Sequence, residues 1–316
     1  MSIKSVVISI LSLVFTVVVF VGILKLFNFS TFKTENESGF VGKKAEIKAF
    51  KLPDTLTFGG DKVPLENFDV SESLDNELLS VGNFHSQAIK NIKRTVRYFP
   101  IIEPILKKNK IPNDFKYLAV AESNLENVSS AAGAHGFWQF LKETGAEYGL
   151  EINEAVDERY HLEKSTQAAC EYLNNAYRVY KDWALVAAAY NYGRGNVTKQ
   201  LERQKVNSYY DLHLNTETGR YVYRILAIKL IFNNPDQYNL HLDSEDMYPV
   251  LQTKEVSVDS TITSLIDFAK TQNTNYKVLK ILNPWLRSDN LPNTKKKTYL
   301  IRVPVENGRI IKKSDL

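Results

Sequence analysis

A short apolar run that ends in a carboxylate, YLAVAES at residues 117–123, is the segment most suggestive of chemistry. Pro-Asn-Asp at residues 112–114 precedes it and is typical of a helix start, because proline fits the first turn and Asn or Asp can cap free N–H groups. On a helix from Phe115, positions 115, 118, 119 and 122 share one face, since seven residues make almost two turns. Glu122 is therefore predicted on the buried face.

A buried carboxylate costs free energy unless it is paired or protonated. Desolvation raises the pKa of a carboxyl, which makes Glu122 a candidate general acid near neutral pH. A salt-bridged glutamate that only stabilises the core would occupy the same kind of position. Taken alone, this segment leaves the two interpretations open.

Two further segments carry side chains suited to a glycan. Residues 129–136, SSAAGAHG, are small, and glycine lets a backbone approach a bound chain closely. The FWQF sequence at residues 137–140 places an amide among aromatic rings, which suits sugar hydroxyls and N-acetyl groups, although aromatic pairs more often belong to a core. At residues 187–193, AAAYNYG, an apolar helix is predicted to end in a phenol and an amide.

Helical periodicity dominates from about residue 71 to residue 236, with continuous apolar runs at 183–190 and 221–232. A second pattern follows: residues 255–258 and 299–303 alternate like strands, and residues 262–270 and 276–282 read as helices between them. We therefore predict a mainly α protein with an α-helical domain and a small βααβ domain at about residues 248–304.

The N-terminus contains an uncharged, almost wholly apolar stretch from Ser5 to Leu24, flanked by Lys4 and Lys25. This length matches one bilayer thickness of helix. We expect an uncleaved signal anchor, with a cleaved signal peptide as the alternative. The positive charge before the stretch places the N-terminus in the cytoplasm and the bulk of the chain outside it.

Composition limits the partners and cofactors. A net charge of +4 and a pI of about 8.8 suit an anionic polymer such as a cell wall, but they are too weak to indicate nucleic acid. The lone Cys170 cannot form an intrachain disulfide and reads as a small buried residue. No Cys/His spacing indicates a metal site, and we expect no cofactor.

Three of these segments occur in a familiar order. Glu122-Ser123, the GFWQ sequence at 136–139 and the AYN sequence at 189–191 resemble, in order and spacing, the soluble lytic transglycosylase domain, and in particular the membrane-bound murein transglycosylase D family. A fourth segment, ETGRYV at 217–222, is similar to a Tyr-Val segment of that family. The resemblance covers about residues 85–240.

The resemblance implies a lysozyme-like helical fold with a groove for peptidoglycan glycan strands. It implies that Glu122 is the catalytic acid, that Tyr190 hydrogen-bonds and orients this glutamate, and that Tyr221 lies near it. The expected substrate-binding residues are Ser123, Ser130, Gln139, Tyr190, Asn191 and Tyr221, with Ser130 contacting the N-acetyl group of the muramoyl unit. The family usually has a proline after this serine, where the present chain has Ala131.

Most glycosidases use two carboxylates, whereas substrate-assisted enzymes are exceptions. The candidates for a second acid, Glu126, Glu143, Glu147 and Asp157, lie in polar or charged context, which favours a one-acid mechanism. We therefore expect cleavage of the N-acetylmuramic acid–N-acetylglucosamine β-1,4 bond without water, giving a 1,6-anhydro ring. The alternatives are a muramidase-type hydrolase and a catalytically inactive peptidoglycan-binding scaffold.

The βααβ order at the C-terminus resembles a LysM module, a family that binds N-acetylglucosamine polymers. Residues 258–261, VDST, and 295–297, KKK, differ from the usual loop sequences, so both glycan binding and a packing role stay open. The predicted division is an anchor at 1–28, a linker at 29–80, a catalytic domain at 81–240 and a LysM-like domain at 245–306. The predicted location is the periplasmic face of a membrane in the cell envelope.

Overall fold

The computed structural model describes residues 49–311. The predicted anchor at 1–28 and the first part of the predicted linker lie outside the described residues. Among residues 49–311, the helices are too short or too polar to cross a membrane.

The described chain is mainly helical, with two small antiparallel sheets. The helices are α1 (Phe68–Gly82), α2 (His85–Lys108), α3 (Lys116–Ser123), α4 (Lys142–Glu147), α5 (Leu162–Tyr180), α6 (Trp183–Tyr192), α7 (Arg194–Gln204), α8 (Thr216–Asn233), α9 (Leu265–Thr271) and α10 (Tyr276–Leu282). Short 3-10 turns lie at Asn113–Phe115, Glu158–Tyr160, Tyr209–Asp211, Pro235–Tyr238 and Ser244–Asp246. The strands are β1 (Thr57–Phe58), β2 (Asp61–Lys62), β3 (Thr253–Val258) and β4 (Tyr299–Pro304).

The prediction of a linker at 29–80 is wrong for the part that the structure describes. Strands β1 and β2 form a hairpin through Gly59 and Gly60, whose φ angles of +63° and +100° favour glycine. Helix α1 follows and buries Val70, Leu74 and Leu78, which recur at four-residue steps along one face. Gly59 and Gly60 therefore serve a hairpin turn beside a core helix.

Helix α1 packs against α8, and a buried ion pair crosses this contact. Glu77 of α1 is 1% exposed. It accepts a hydrogen bond from Arg220 Nε and lies 3.5 Å from Arg224 Nε, both of α8. The pair fixes α8 along its axis relative to α1.

Helix α6 lies at the centre of the helical domain. Its first turn is capped by Asp182, whose side chain accepts a hydrogen bond from the Leu185 N–H at 2.7 Å. The residues from Trp183 to Ala189 are all buried, as expected for a helix that is apolar all round. Its packing against α5 and α8 confirms that the apolar run at 183–190 is a core helix, and Cys170 of α5 is also buried.

The C-terminal domain has the predicted order β3–α9–α10–β4. Strand register pairs Thr253 with Pro304 and Val258 with Tyr299. Helix α9 begins three residues later than predicted, at Leu265, because Ile262 forms an isolated bridge with Leu291 instead. The core of this domain also contains Ala155, Val156 and Tyr160 from the helical domain.

The Glu77 ion pair generates a stability prediction. The substitution Glu77→Gln keeps the side-chain shape but leaves two arginines without their buried counter-charge. Because those arginines are partly exposed and can recover water contacts, we expect the free energy of unfolding to fall by about 2 kcal/mol. Urea unfolding followed by tryptophan fluorescence measures the loss.

The matched control is Glu66→Gln, which removes an exposed pair with Lys62 at 2.8 Å. Exposed pairs contribute little, so this change should leave the unfolding midpoint where it was. Equal effects of the two substitutions would contradict the role given to Glu77.

Candidate active site

Glu122 lies in the last turn of α3, a helix of only eight residues. The helix ends at Asn124, whose φ of +55° is left-handed and whose N–H donates to the Val120 carbonyl. The predicted stripe is present: Phe115, Leu118 and Ala119 are fully buried. Glu122 continues that stripe but is only half-buried, because the chain turns away behind it. An acid in this place is held among protein atoms and remains accessible.

The surroundings of Glu122 favour its protonated form. The pKa of Glu122 is raised to about 7: burial and the nearby Glu217 carboxylate raise it, whereas the Tyr221 hydrogen bond and Arg224 lower it. Within residues 49–311, no Lys, Arg or His forms an ion pair with Glu122. The alternative of a salt-bridged core glutamate is therefore not what the fold contains. A carboxyl with a pKa near neutrality can give and take a proton.

The tyrosine that contacts Glu122 is Tyr221 of α8, whose hydroxyl donates to Oε1 of the carboxyl. The expectation that Tyr190 makes this bond is wrong for this structure. The Tyr190 hydroxyl donates to the Trp138 carbonyl at 2.7 Å, because its ring packs edge-on against Trp138 and Phe140. Burial and the Glu122 charge raise the pKa of both tyrosines, so both stay neutral donors.

Gln139 ties the two ends of the small-residue loop together. Its Nε2 donates to the Gly136 carbonyl at 2.8 Å and to the Val128 carbonyl at 3.1 Å. Its backbone is left-handed, with φ of +48°. Gly136 is required here, since it has φ of +79° and an added Cβ would lie 1.9 Å from the Arg159 carbonyl oxygen. The conformation of this loop is thus fixed by its own residues.

The two predicted serines differ in what they can reach. Ser130 is exposed, and its Oγ accepts a hydrogen bond from the Ala134 N–H at 3.0 Å, which closes the turn that contains Ala131. Ser123 is buried, and its hydroxyl donates to the Ala119 carbonyl one turn earlier at 3.1 Å. In this structure the Ser123 hydroxyl is thus used within α3, and its contact with substrate stays a prediction.

Asn191 joins the end of α6 to the start of α8. Its Oδ1 accepts from the Thr218 hydroxyl at 2.8 Å, and its Nδ2 donates to Glu217 at 3.2 Å. Sequence reasoning missed Glu217 as a neighbour of Glu122. The signal was present, since Glu217 precedes Tyr221 by one helical turn and the two share a face of α8.

Of the four carboxylates considered as second acids, two form ion pairs with arginines and two are exposed to solvent. Glu126 pairs with Arg94, and Asp157 pairs with Arg159 at 2.7 Å. Glu143 and Glu147 are exposed on α4. Glu217, which is not one of these four, is the carboxylate whose charge raises the pKa of Glu122.

Comparison with known proteins agrees with this arrangement. Residues 99–212 match the family described as the transglycosylase SLT domain. Residues 254–307 match the soluble lytic transglycosylase C-terminal LysM-like domain. The chain therefore carries an SLT domain followed by a LysM-like domain. The predicted resemblance to lytic transglycosylases is confirmed.

The SLT domain and its flanking residues are distantly similar to the membrane-bound lytic murein transglycosylase D of Escherichia coli strain K12. The identity is 29% over 225 residues, which is 68% of this chain and 49% of that protein. The protein of the same name from an O6:H1 strain of Escherichia coli matches to the same extent. The chain thus spans about half the length of the curated relatives it matches.

Two solved structures align with part of this chain. An inactive mutant of the lytic transglycosylase Slt from Pseudomonas aeruginosa aligns with a TM-score of 0.37 and 18% identity over 50% of this chain and 28% of that one. The 70 kDa soluble lytic transglycosylase from Escherichia coli aligns with a TM-score of 0.39 and 16% identity over 55% of this chain and 32% of that one.

The Tyr221 hydrogen bond favours ionised Glu122, so Tyr221→Phe should raise the pKa of Glu122 above about 7. Loss of one hydrogen bond to a carboxylate lowers the acid dissociation constant about fivefold to tenfold. Carboxyl ¹³C NMR of the glutamate-labelled full chain measures the titration. Tyr190→Phe is the control and should leave the Glu122 titration unchanged; a larger shift in the control would contradict the assignment.

The Glu217 charge acts in the opposite direction. The substitution Glu217→Gln removes a nearby negative charge, so the pKa of Glu122 should fall, with about a twofold change in its dissociation constant because Glu217 is exposed and screened. The same NMR titration measures it, and added salt should reduce the difference between the variant and the natural chain. Glu147→Gln on α4 is the exposed control. A pKa that rises in Glu217→Gln would refute the repulsion.

Proposed function

We propose that this chain is a lytic transglycosylase that cleaves the N-acetylmuramic acid–N-acetylglucosamine β-1,4 bond of peptidoglycan and leaves 1,6-anhydro-muramic acid ends. The observation that carries the proposal is a half-buried acid with a pKa of about 7, held by a neutral phenol inside an SLT domain. The names of the similar proteins, which are lytic transglycosylases, support the same reaction.

In the first step, protonated Glu122 gives its proton to the bridging oxygen as the bond from that oxygen to C1 of the muramoyl unit breaks. The neighbouring N-acetyl group stabilises the developing positive charge at C1. In the second step, the Glu122 carboxylate takes the proton from the C6 hydroxyl of the same sugar, and the C6 oxygen forms a bond to C1. The acid is restored and no water is consumed.

Tyr221 serves both steps. Its hydroxyl occupies Oε1 of Glu122 and leaves Oε2 for proton transfer. It also stabilises the carboxylate that exists between the two steps. Because Glu122 must start protonated, the rate should fall as the pH rises through the pKa of about 7.

The remaining predicted residues take supporting roles in the proposal. Ser130 and Gln139 lie on the loop that would face the N-acetyl groups of the glycan. Asn191 would act through Glu217 and Thr218 by holding the start of α8 against α6. Tyr190 would fix the position of the FWQF segment at 137–140 through its hydrogen bond to the Trp138 carbonyl.

One observation favours a second candidate function, a muramidase-type hydrolase. Glu217 is an exposed carboxylate whose charge acts on Glu122, and it could orient a water molecule as a second acid does in hydrolases. The two reactions differ in their products, since only the hydrolase consumes water.

The proposal extends to the whole chain. The helical domain at 81–240 would have the lysozyme-like arrangement, with residues 49–80 as part of its core rather than a linker. The segment at 1–28 would anchor the chain, and the domain at 245–306 would be LysM-like. We place the protein on the periplasmic face of a membrane in the cell envelope, which accords with relatives named as membrane-bound.

The test is product analysis. Purified peptidoglycan is digested with the full-length chain in detergent beside its Glu122→Gln variant, and the released muropeptides are weighed. We expect products one water lighter than hydrolytic ones, reduced at least about a thousandfold in the variant because one group acts in both steps. Reducing-end muramic acid would instead support the hydrolase, and intact binding without products from either protein would support the inactive scaffold.

A further inference from the structure

The LysM-like domain is joined to the SLT domain by backbone pairing. The Asp157 N–H donates to the Trp285 carbonyl at 2.9 Å, and the Arg287 N–H donates to the Ala155 carbonyl at 2.8 Å. Between them, Val156 and Leu286 form an antiparallel bridge. A short two-stranded contact thus crosses from one domain to the other, which a flexible tether would not provide.

Side chains reinforce this seam, which we define as residues 151–160 against residues 285–302. Glu151 accepts from the Tyr299 hydroxyl at 3.0 Å and also from Lys297. Glu158 is 2% exposed and lies 3.5 Å from Lys297 Nζ. Val156 is buried in the core of the LysM-like domain. Charged and apolar contacts both hold the seam together.

Tyr160 lies at the end of the seam and contacts the loop of residues 129–140, which we call the groove loop. Its ring is buried in the same core, and the Arg287 guanidinium lies over it, 4.2 Å from the ring centroid. Its hydroxyl lies 2.9 Å from Ser129 Oγ and 2.9 Å from His135 Nδ1. Ser129 Oγ and His135 Nδ1 are themselves 2.7 Å apart. The three side chains form a closed polar cluster.

This cluster lies at the corner of the loop that carries Ser130 and Gln139. Ser129 and His135 are bridge partners, and the His135 N–H donates to the Phe140 carbonyl at 3.0 Å. Burial and the nearby Arg159 and Arg287 lower the pKa of His135, while Asp157 opposes them. The lowered pKa favours the neutral ring, and in the tautomer protonated at Nε2 the Nδ1 atom accepts a hydroxyl proton.

We propose that the LysM-like domain is a fixed part of the catalytic unit and that Tyr160 is the positioning residue through which it holds the Ser129–His135 corner of the groove loop. The inference rests on the proposed function, since it concerns how that groove binds glycan. It assigns to this domain a task other than capturing N-acetylglucosamine on its own surface. Arg287 acts through the Tyr160 ring and touches no substrate.

The test uses the full-length chain in detergent and four variants, with soluble peptidoglycan strands as substrate. Tyr160→Phe keeps the ring and the Arg287 contact but removes the hydroxyl. We expect KM to rise about fivefold, the factor that one ordinary hydrogen bond is worth, with kcat within about twofold because Glu122 and Tyr221 are untouched. Amide hydrogen exchange at residues 129–140 should become faster.

Arg287→Ala should act in the same direction, and Arg287→Lys should restore most of the loss because a lysine ammonium can also lie over the ring. Tyr299→Phe is the matched control: it removes a hydroxyl bond to Glu151 across the same seam without touching the loop. It should leave KM and the exchange of residues 129–140 as they are in the natural chain.

The outcomes separate the two proposals. A chain without lytic products would refute the proposed function, while the exchange measurement would still report on the loop. Unchanged exchange and KM in Tyr160→Phe would overturn the positioning role, as would faster exchange with an unchanged KM. An equal effect of Tyr299→Phe would also overturn it, because any weakening of the seam would then suffice.

Discussion

The hydrogen bond between the Tyr221 hydroxyl and the Glu122 carboxyl is the interaction on which the site depends. An acid that must exchange a proton near neutral pH has to be dry enough to stay protonated and open enough to be reached. Helix α3 meets both conditions by ending at Ser123, one residue after the acid. Its apolar stripe buries one side of the carboxyl, and the left-handed turn at Asn124 leaves the other side free.

Helix α8 is what brings the partner to that carboxyl. Glu217, Tyr221 and Arg224 follow one another at steps of four and three residues, so a donor and two opposite charges line one stripe toward Glu122. The position of this helix is set at two places. Asn191 and Thr218 fix its start against α6, and Glu77 fixes its middle against α1. The first helix of the described chain thus contributes to the acidity of a residue that it does not contact.

The sequence was sufficient for the features that depend on long patterns. The stripe ending at Glu122, the apolar helix α6 and the order β3–α9–α10–β4 all followed from periodicity over many residues. It was insufficient for the hairpin of β1 and β2, since two-residue strands have no periodicity and their glycines resemble those of a linker. Helix α1 was anticipated in part, since helical periodicity begins at about residue 71, but its start at Phe68 and its place in the core were not predicted because its buried apolar residues are separated by many acidic and polar ones.

The candidate site, like the fold, had features that the sequence could predict and features that it could not. That Glu122 and two tyrosines meet could be predicted from ordered motifs, but which tyrosine donates to the acid depends on ring packing that only the fold determines. The hydrogen bond of Ser123 was hidden for a related reason: a hydroxyl within a helix can donate to the carbonyl one turn earlier, and sequence alone does not reveal this. Glu217 was overlooked because its neighbours along the chain are polar, whereas its neighbour in space is the acid.

The backbone bridge between Val156 and Leu286 has a consequence for the order in which the protein is made. Residues 151–160 complete a core whose other half is synthesised more than a hundred residues later. A nascent chain that has emerged only as far as α8 already has Glu122 and Tyr221 but lacks the partner strand for residues 155–157. Residues 155–157 can therefore form their bridge to the LysM-like domain only once residues 285–287 have been translated, so the seam closes late in synthesis.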